Sequence, residues 1–292
     1  MGDTARRKRL LVYSAVFGGY DDIWDHSAVC DFADYVFITD QPVTYPGMWK
    51  VVQFDDIVPA GCRNLDNTRK GRFVKWNPHL LFPEYEYSLY LDGALDIIDE
   101  KVFEKLSRFM REEVKISIRV HTECNCVYRE AERILELAYD DKATLDRWRD
   151  FLRKENFPRN YGLWETGLLF RRHNDAVISA LGAEVWDIVA NYSKRDQLAL
   201  PYVVRKQGAD IRDFNEGKRN FTIYERFDGC FLFSHKKYLR QEYRRLYWQQ
   251  PNELERALAV VNSFLPSGSW RRRFAKRVYL FLSSLMRLFR KP

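Results

Sequence analysis

With 292 residues, 46% hydrophobic and 15% aromatic, the chain carries enough apolar material for one large α/β domain, a composition that excludes disordered and fibrous classes. No apolar run reaches the roughly 18 to 20 residues that span a bilayer, and the first residues lack the order of a signal peptide, so a cytoplasmic location is expected. A formal net charge of +7 favours an anionic partner, while five scattered cysteines (Cys30, Cys62, Cys124, Cys126 and Cys230), odd in number and without framework spacing, read as reduced thiols.

A basic arm, Arg6-Arg7-Lys8-Arg9, precedes residues 10–17, a run rich in Val, Leu and Tyr that reads as a buried strand. The strand leads into Gly18-Gly19-Tyr20-Asp21. Two glycines there let backbone amides approach a nucleotide closely and leave Tyr20 available to stack on a base, although a plain tight turn has the same composition. Residues 35–39 form the second predicted strand and end at Asp40, placed either to accept from a ribose or base or to cap a turn. Residues 49–54 form the third. A helix is predicted to begin near Arg69, run through Arg72 and Lys75, and stop at Pro83.

Residues 87–91 are the fourth strand, an apolar and aromatic run that delivers Asp92 into the turn Asp92-Gly93-Ala94. In open α/β sheets ligands bind beyond the carboxyl ends of the strands, so a carboxylate at this point can hold a metal, a ribose or a nucleotide diphosphate; an Asp-Gly turn supplies one for purely local reasons as well. If the strand continued, its period of two would turn Asp96 to the same side as Asp92.

Further on, the pattern predicts a helix over 101–111, a strand over 115–120 and a long charge-rich helical stretch over 128–154 packed outside the sheet. Residues 161–171 read as a turn carrying Glu165, followed by a strand. Helices are predicted over 175–192 and 196–206, with Asp196 either a cap or a site residue beside Arg195. Strands alternating with helices predict a largely parallel, doubly wound sheet. The His121-Thr122-Glu123-Cys124-Asn125-Cys126 segment has zinc-type side chains but no second pair at structural-zinc spacing, so a loop with buried thiols is expected, with His121 near the pocket.

The folded domain is expected to occupy 1–265. After the linker-like Pro266-Ser267-Gly268-Ser269 comes a basic tail, 270–292, in which Phe274, Val278, Phe281, Leu285 and Leu288 share one helical face while Arg273, Lys276, Arg277 and Arg287 fall outside it. Such a C-terminal amphipathic helix can lie on an anionic membrane surface, each cation contributing roughly 1 kcal/mol near the headgroups, or pack on the domain or a second copy. Positive charge gathered at the chain's ends, rather than woven among aromatics, argues against a nucleic-acid partner.

Val12-Tyr13-Ser14-Ala15-Val16-Phe17-Gly18-Gly19-Tyr20-Asp21, Tyr35-Val36-Phe37-Ile38-Thr39-Asp40, the segment from Lys75 to Asp92, Trp164-Glu165-Thr166-Gly167 and Ser193-Lys194-Arg195-Asp196-Gln197-Leu198 occur in one order. That set resembles the glycosyltransferase-like family that includes the plant mucilage-related and turgor-defect proteins and bacterial polysaccharide-locus proteins. The resemblance covers about residues 10–235 and implies a GT-A-like fold: a mixed, mostly parallel sheet flanked by helices. It further implies transfer of a sugar from a nucleotide-diphosphate donor to a glycan or glycolipid acceptor at the inner face of a membrane.

Under that resemblance Gly18, Gly19, Tyr20, Asp21, Asp40, Lys75, Asp92 and Arg195 would hold the donor, and Glu165 or Asp196 would serve the acceptor. A divalent cation, Mn or Mg, would be held by Asp92, Asp96 and His235. Many GT-A enzymes carry Asp-x-Asp where this chain reads Asp92-Gly93-Ala94, which puts two-carboxylate metal ligation in question. One plant branch of the family has been described as a ceramide hydrolase, and a lipid amide hydrolase therefore stays open, as does a non-catalytic membrane-surface protein. No Gly-x-Ser-x-Gly elbow or zinc-hydrolase motif supports the hydrolase.

Overall fold

The computed structural model describes residues 10–218, except 22, 45 and 138, and residues 227–232. In chain order the elements are β1 (Leu10–Val16), β2 (Ala33–Thr39), β3 (Lys50–Gln53), α1 (Phe54–Ile57), α2 (Asn67–Trp76) and α3 (Pro78–Leu81). Then follow β4 (Tyr87–Leu91), β5 (Leu95–Ile97), α4 (Lys101–Arg111), β6 (Ile116–Val120), α5 (Val127–Glu136) and α6 (Lys142–Lys154). The described part closes with β7 (Trp164–Arg171), α7 (Ala176–Asn191), α8 (Asp196–Gln207), β8 (Arg212–Asp213) and β9 (Cys230–Leu232).

Seven strands form one sheet in the order β3-β2-β1-β4-β7-β6-β8. The β1–β2, β1–β4, β2–β3 and β6–β8 pairs are parallel, whereas β7 runs antiparallel to both β4 and β6. The sheet is therefore mixed and mostly parallel, and the doubly wound expectation fails at β7. A small separate ladder pairs β5 with β9.

Alternation along β1 deals side chains to two apolar layers, as a pleated strand buried on both faces requires. Leu11 and Tyr13 belong to the core layer that also holds buried residues of α2, α5, α6, α7 and α8; Leu10 and Val12 belong to the layer that holds those of α4.

Two predicted helices are interrupted for local reasons. The helix expected to run to Pro83 breaks at Asn77 because Pro78 has no N–H and displaces its predecessor from helical geometry; Pro78 then opens α3 as its first residue. The stretch 128–154 is two helices. Asp141 caps the second, accepting from the Thr144 N–H at 2.8 Å.

Helix α7 lies so close to α2 that a Cβ on Gly182 would run into the Trp76 carbonyl oxygen, which is backbone and cannot swing aside. Gly182→Ala is expected to cost about 1–3 kcal/mol, the usual range for overpacking, measured by chemical denaturation. An unchanged midpoint would show that the two helices are free to part. The contact matters beyond stability because Trp76 and Lys75, at the end of α2, hold Asp196, which lines the candidate active site.

Candidate active site

A cleft of about 820 Å³ opens where β1, β4 and the start of β7 converge. Its first wall is the bend after β1. Gly18 and Gly19 both have φ near +61°, a left-handed conformation that glycine adopts without strain, and a Cβ on Gly18 would collide with the Asn67 side chain. Asp40, at the end of β2, accepts from the Gly18 N–H at 2.8 Å and from Lys70 Nζ at 3.1 Å. Asp40 thus anchors the bend and does not line the cleft, a correction to its predicted role at a ribose or base. Tyr20 stands 63% exposed at the mouth, and Asp21 is buried in the wall.

Asp92 leaves β4 in a tight turn closed by the Leu95 N–H donating to its carbonyl at 2.8 Å. Its own N–H donates to the Gly167 carbonyl on β7, and a Cβ on Gly167 would press on the carboxylate at 3.3 Å. Asp92 Oδ1 accepts from the Tyr90 hydroxyl at 3.0 Å and lies 3.8 Å from Lys75 Nζ and 3.9 Å from Arg72. The side chain remains about one-third open to the cleft (32%).

The same turn redirects the chain, so β5 is not a continuation of β4 and the period-two argument for Asp96 fails. Asp96 is buried away from the cleft, accepting from the Ser27 N–H at 2.8 Å and the Ser27 hydroxyl at 2.7 Å. It ties down the segment around His26 instead of standing beside Asp92.

Arg72 and Lys75, three residues apart on α2, reach one buried carboxylate, Asp196, the first residue of α8. Lys75 Nζ lies 2.8 Å and Arg72 Nε 3.0 Å from it, and Trp76 Nε1 donates to it at 3.0 Å. Burial works to raise the Asp196 carboxyl, but the two cations and the indole outweigh it and hold the group well below the carboxylate range. Burial lowers Lys75 more than Asp196 and Asp92 raise it. A carboxylate so held is a poor proton acceptor. Asp196 organises Arg72 and Lys75 and is not a base, which corrects one of the two catalytic expectations.

Arg195 is different. It caps α8 by position only, and its guanidinium lines the cleft over the Tyr139 ring at 5.1 Å. Its Nε is buried without a hydrogen bond, and among the described residues no carboxylate lies within ion-pair distance. Burial and the neighbouring Arg72 lower its proton affinity. A desolvated cation turned toward open space is a site for an anion.

Glu165 lies on β7 itself rather than in the predicted turn. The β6–β7 register shifts between Ile118 and Arg119, setting Arg119 opposite Glu165, and the two side chains form an ion pair at 2.5 Å. His121 lines the cleft nearby; its Nδ1 accepts from the Glu123 and Cys124 N–H groups at 3.2 and 3.0 Å, and burial keeps the ring neutral.

Cys124 and Cys126 are buried, as expected of that loop. The sequence reading missed Glu130, Arg133 and Tyr139, all in the lining. Glu130 sits one position from the apolar stripe Val127, Ala131 and Ile134, a placement that marks a charge at the edge of a buried face.

Among the described residues, no three His, Cys, Asp or Glu side chains gather as a cation site. Asp92 contributes one carboxylate flanked by two cations, so this donor set does not fit the two-carboxylate metal site the resemblance implied. His235 and the tail 270–292 lie outside the described residues.

The family profile of the TOD1/MUCI70, glycosyltransferase-like domain matches residues 3–225. The chain belongs to the TOD1/MUCI70 family. A relative within reach of this family is the probable hexosyltransferase MUCI70 of Arabidopsis thaliana, 26% identical over 271 residues, which cover 83% of this chain and 44% of that protein. The chain thus spans less than half the length of the curated relative.

Among solved structures, the WbbM bifunctional glycosyltransferase superposes with a TM-score of 0.44 at 10% identity, over 74% of this chain and 40% of that one. Mouse xyloside xylosyltransferase 1 does so at 0.42 and 11%, over 69% and 83%. The mixed, mostly parallel sheet flanked by helices is the arrangement that the resemblance implied.

Proposed function

We propose that the chain is a glycosyltransferase moving a sugar, a hexose by analogy with its plant relative, from a nucleotide-diphosphate donor to a glycan or glycolipid acceptor in cell-surface polysaccharide assembly. The observation that carries this reading is the convergence in one cleft of the Gly18–Tyr20 bend, the partly open carboxylate of Asp92 and Arg195, which has no ion pair among the described residues. When the bond between sugar and diphosphate breaks, negative charge grows on the leaving group. Arg195, with Arg72 and Lys75 behind it, is already oriented to receive that charge, so little reorganisation accompanies the step. Asp92 accepts from donor hydroxyls, and Tyr20 at the mouth covers the base. A peripheral, cytoplasmic position on an anionic membrane through 270–292 belongs to the same reading and rests on the tail's sequence.

A thermal-shift panel of nucleoside diphosphates and their sugars, with manganese or with chelator, tests it. Selective stabilisation by at least one diphosphate is expected, because a ligand that binds only the native state raises the melting temperature. Asp92→Ala should reduce nucleoside-diphosphate release from the matching donor by about 10- to 150-fold, the equivalent of the ~1.5–3 kcal/mol of a hydrogen bond to a charged group, with the melting temperature little changed. A panel with no stabilising nucleotide would sink the proposal, and an active Asp92→Ala protein would remove that carboxylate from the site.

A further inference from the structure

One face of α5 forms the wall of the cleft opposite the loop after β1: Glu130, Arg133, Ile134 and Leu137, spaced i, i+3, i+4 and i+7, all line it. Glu130 is the buried charged member of this set, 6% exposed, yet its Oε2 has no hydrogen bond and no cation lies within ion-pair distance among the described residues. Burying a carboxyl without a partner is costly, and its place in the first turn of α5, where the helix N-terminus favours a negative charge, offsets only part of that cost.

Other carboxylates in the lining are engaged. Glu165 is paired with Arg119, Asp196 with Lys75 and Arg72, and Asp92 lies near Lys75 and Arg72. The groups that face Glu130 are Arg133 on its own helix, Arg195 at the start of α8, Glu165 on β7 and Glu123 in the loop before α5.

We propose that Glu130 is the catalytic base, receiving the acceptor hydroxyl in the cleft. The inference rests on the donor reading above. In the step, the acceptor O–H proton passes to the Glu130 carboxylate as the acceptor oxygen bonds to the anomeric carbon. The bond from that carbon to the diphosphate oxygen breaks, and its electron pair leaves with the diphosphate toward Arg195. A single displacement of this kind inverts the anomeric centre. Burial raises the Glu130 proton affinity, with Arg133 and Arg195 opposing and Glu165 and Glu123 assisting, which matches a base to neutral pH better than an ion-paired carboxylate. Glu165, held by Arg119, then positions the acceptor instead of taking its proton.

The test uses the full chain and the nucleotide sugar from which the wild-type protein releases nucleoside diphosphate. Glu130→Gln keeps shape and removes the base; Glu130→Ala opens room for formate. Expected results are a loss of turnover of at least ~100-fold in both variants, within the range for removing a general base. Nucleoside-diphosphate affinity should stay within about twofold of wild type. Formate should restore part of the Glu130→Ala rate, and the acid limb of the pH–rate profile should disappear in Glu130→Gln.

Turnover within threefold of wild type in Glu130→Gln, or retention of configuration in the product, overturns the proposal. Loss of nucleotide affinity together with turnover would assign Glu130 a structural role and also overturn it. If Glu130→Ala does not fold, the glutamine variant carries the decision alone. A wild-type chain that binds no nucleoside diphosphate fails the donor reading itself, and this inference with it.

Discussion

Replacing Asp196 with alanine is expected to destabilise the protein by about 3–5 kcal/mol, the range for removing one partner of a buried ion pair. The substitution leaves Lys75, fully buried, and Arg72 without the carboxylate that lies 2.8 and 3.0 Å from them, and leaves the Trp76 indole N–H without an acceptor. Equilibrium urea unfolding at pH 7 measures it. Because the folded-state carboxyl is held below its unfolded value, the stabilisation it gives is complete above the ordinary aspartate range and declines as pH falls through that range and below. The difference between wild type and Asp196→Ala should accordingly shrink in acid. The double variant Lys75→Met with Asp196→Ala should recover part of the loss, since an apolar side chain of similar volume needs no counter-charge. A destabilisation under 1 kcal/mol would mean that water reaches the cluster.

Arg195→Ala has the opposite signature. The residue makes no ion pair among the described residues, so its removal should change unfolding free energy by no more than about 1 kcal/mol, the scale of its contact with the Tyr139 ring. Nucleoside-diphosphate and pyrophosphate affinity, read by calorimetry, should fall by about 10- to 150-fold, the equivalent of about 1.5–3 kcal/mol for a hydrogen bond to a charged group. Arg195→Lys should recover only part, because an ammonium cannot present two parallel donors to a phosphate. Affinity within twofold of wild type in Arg195→Ala would place the anion elsewhere.

Much of the architecture was legible because it follows from local pattern. The apolar and aromatic run at 87–91 and the amphipathic period over 101–111 coincide with β4 and α4 to the residue. The reversal of β7 was not legible, since Trp164–Arg171 has the same apolar pattern in either direction and its partners lie far away in the chain. At the site, Asp92 and Arg195 stand in the cleft because strand ends and helix starts meet there. Asp40 takes the turn role of its two expected alternatives and Asp96 turns away from the cleft: each is a carboxylate after or beside a strand, and whether it faces a ligand or a backbone N–H depends on contacts 22 and 69 residues distant. Glu130 looked like one charge among many in Tyr128-Arg129-Glu130-Ala131-Glu132-Arg133. Its burial comes from the packing of α5 on the cleft, which no nearby residue encodes.

Because β7 runs against β4, the beginning of that strand borders the cleft and its end lies beside the start of β4, with Arg171 opposite Ser88. Lengthening the connection at 155–163 would therefore reshape the cleft wall directly, while an insertion after Arg171 would fall at the remote end of the sheet. Under the proposed function, divergence in acceptor choice could then accumulate through the first connection without disturbing the Arg72, Lys75 and Asp196 side of the cleft, where α2 and α8 are locked together by buried charge.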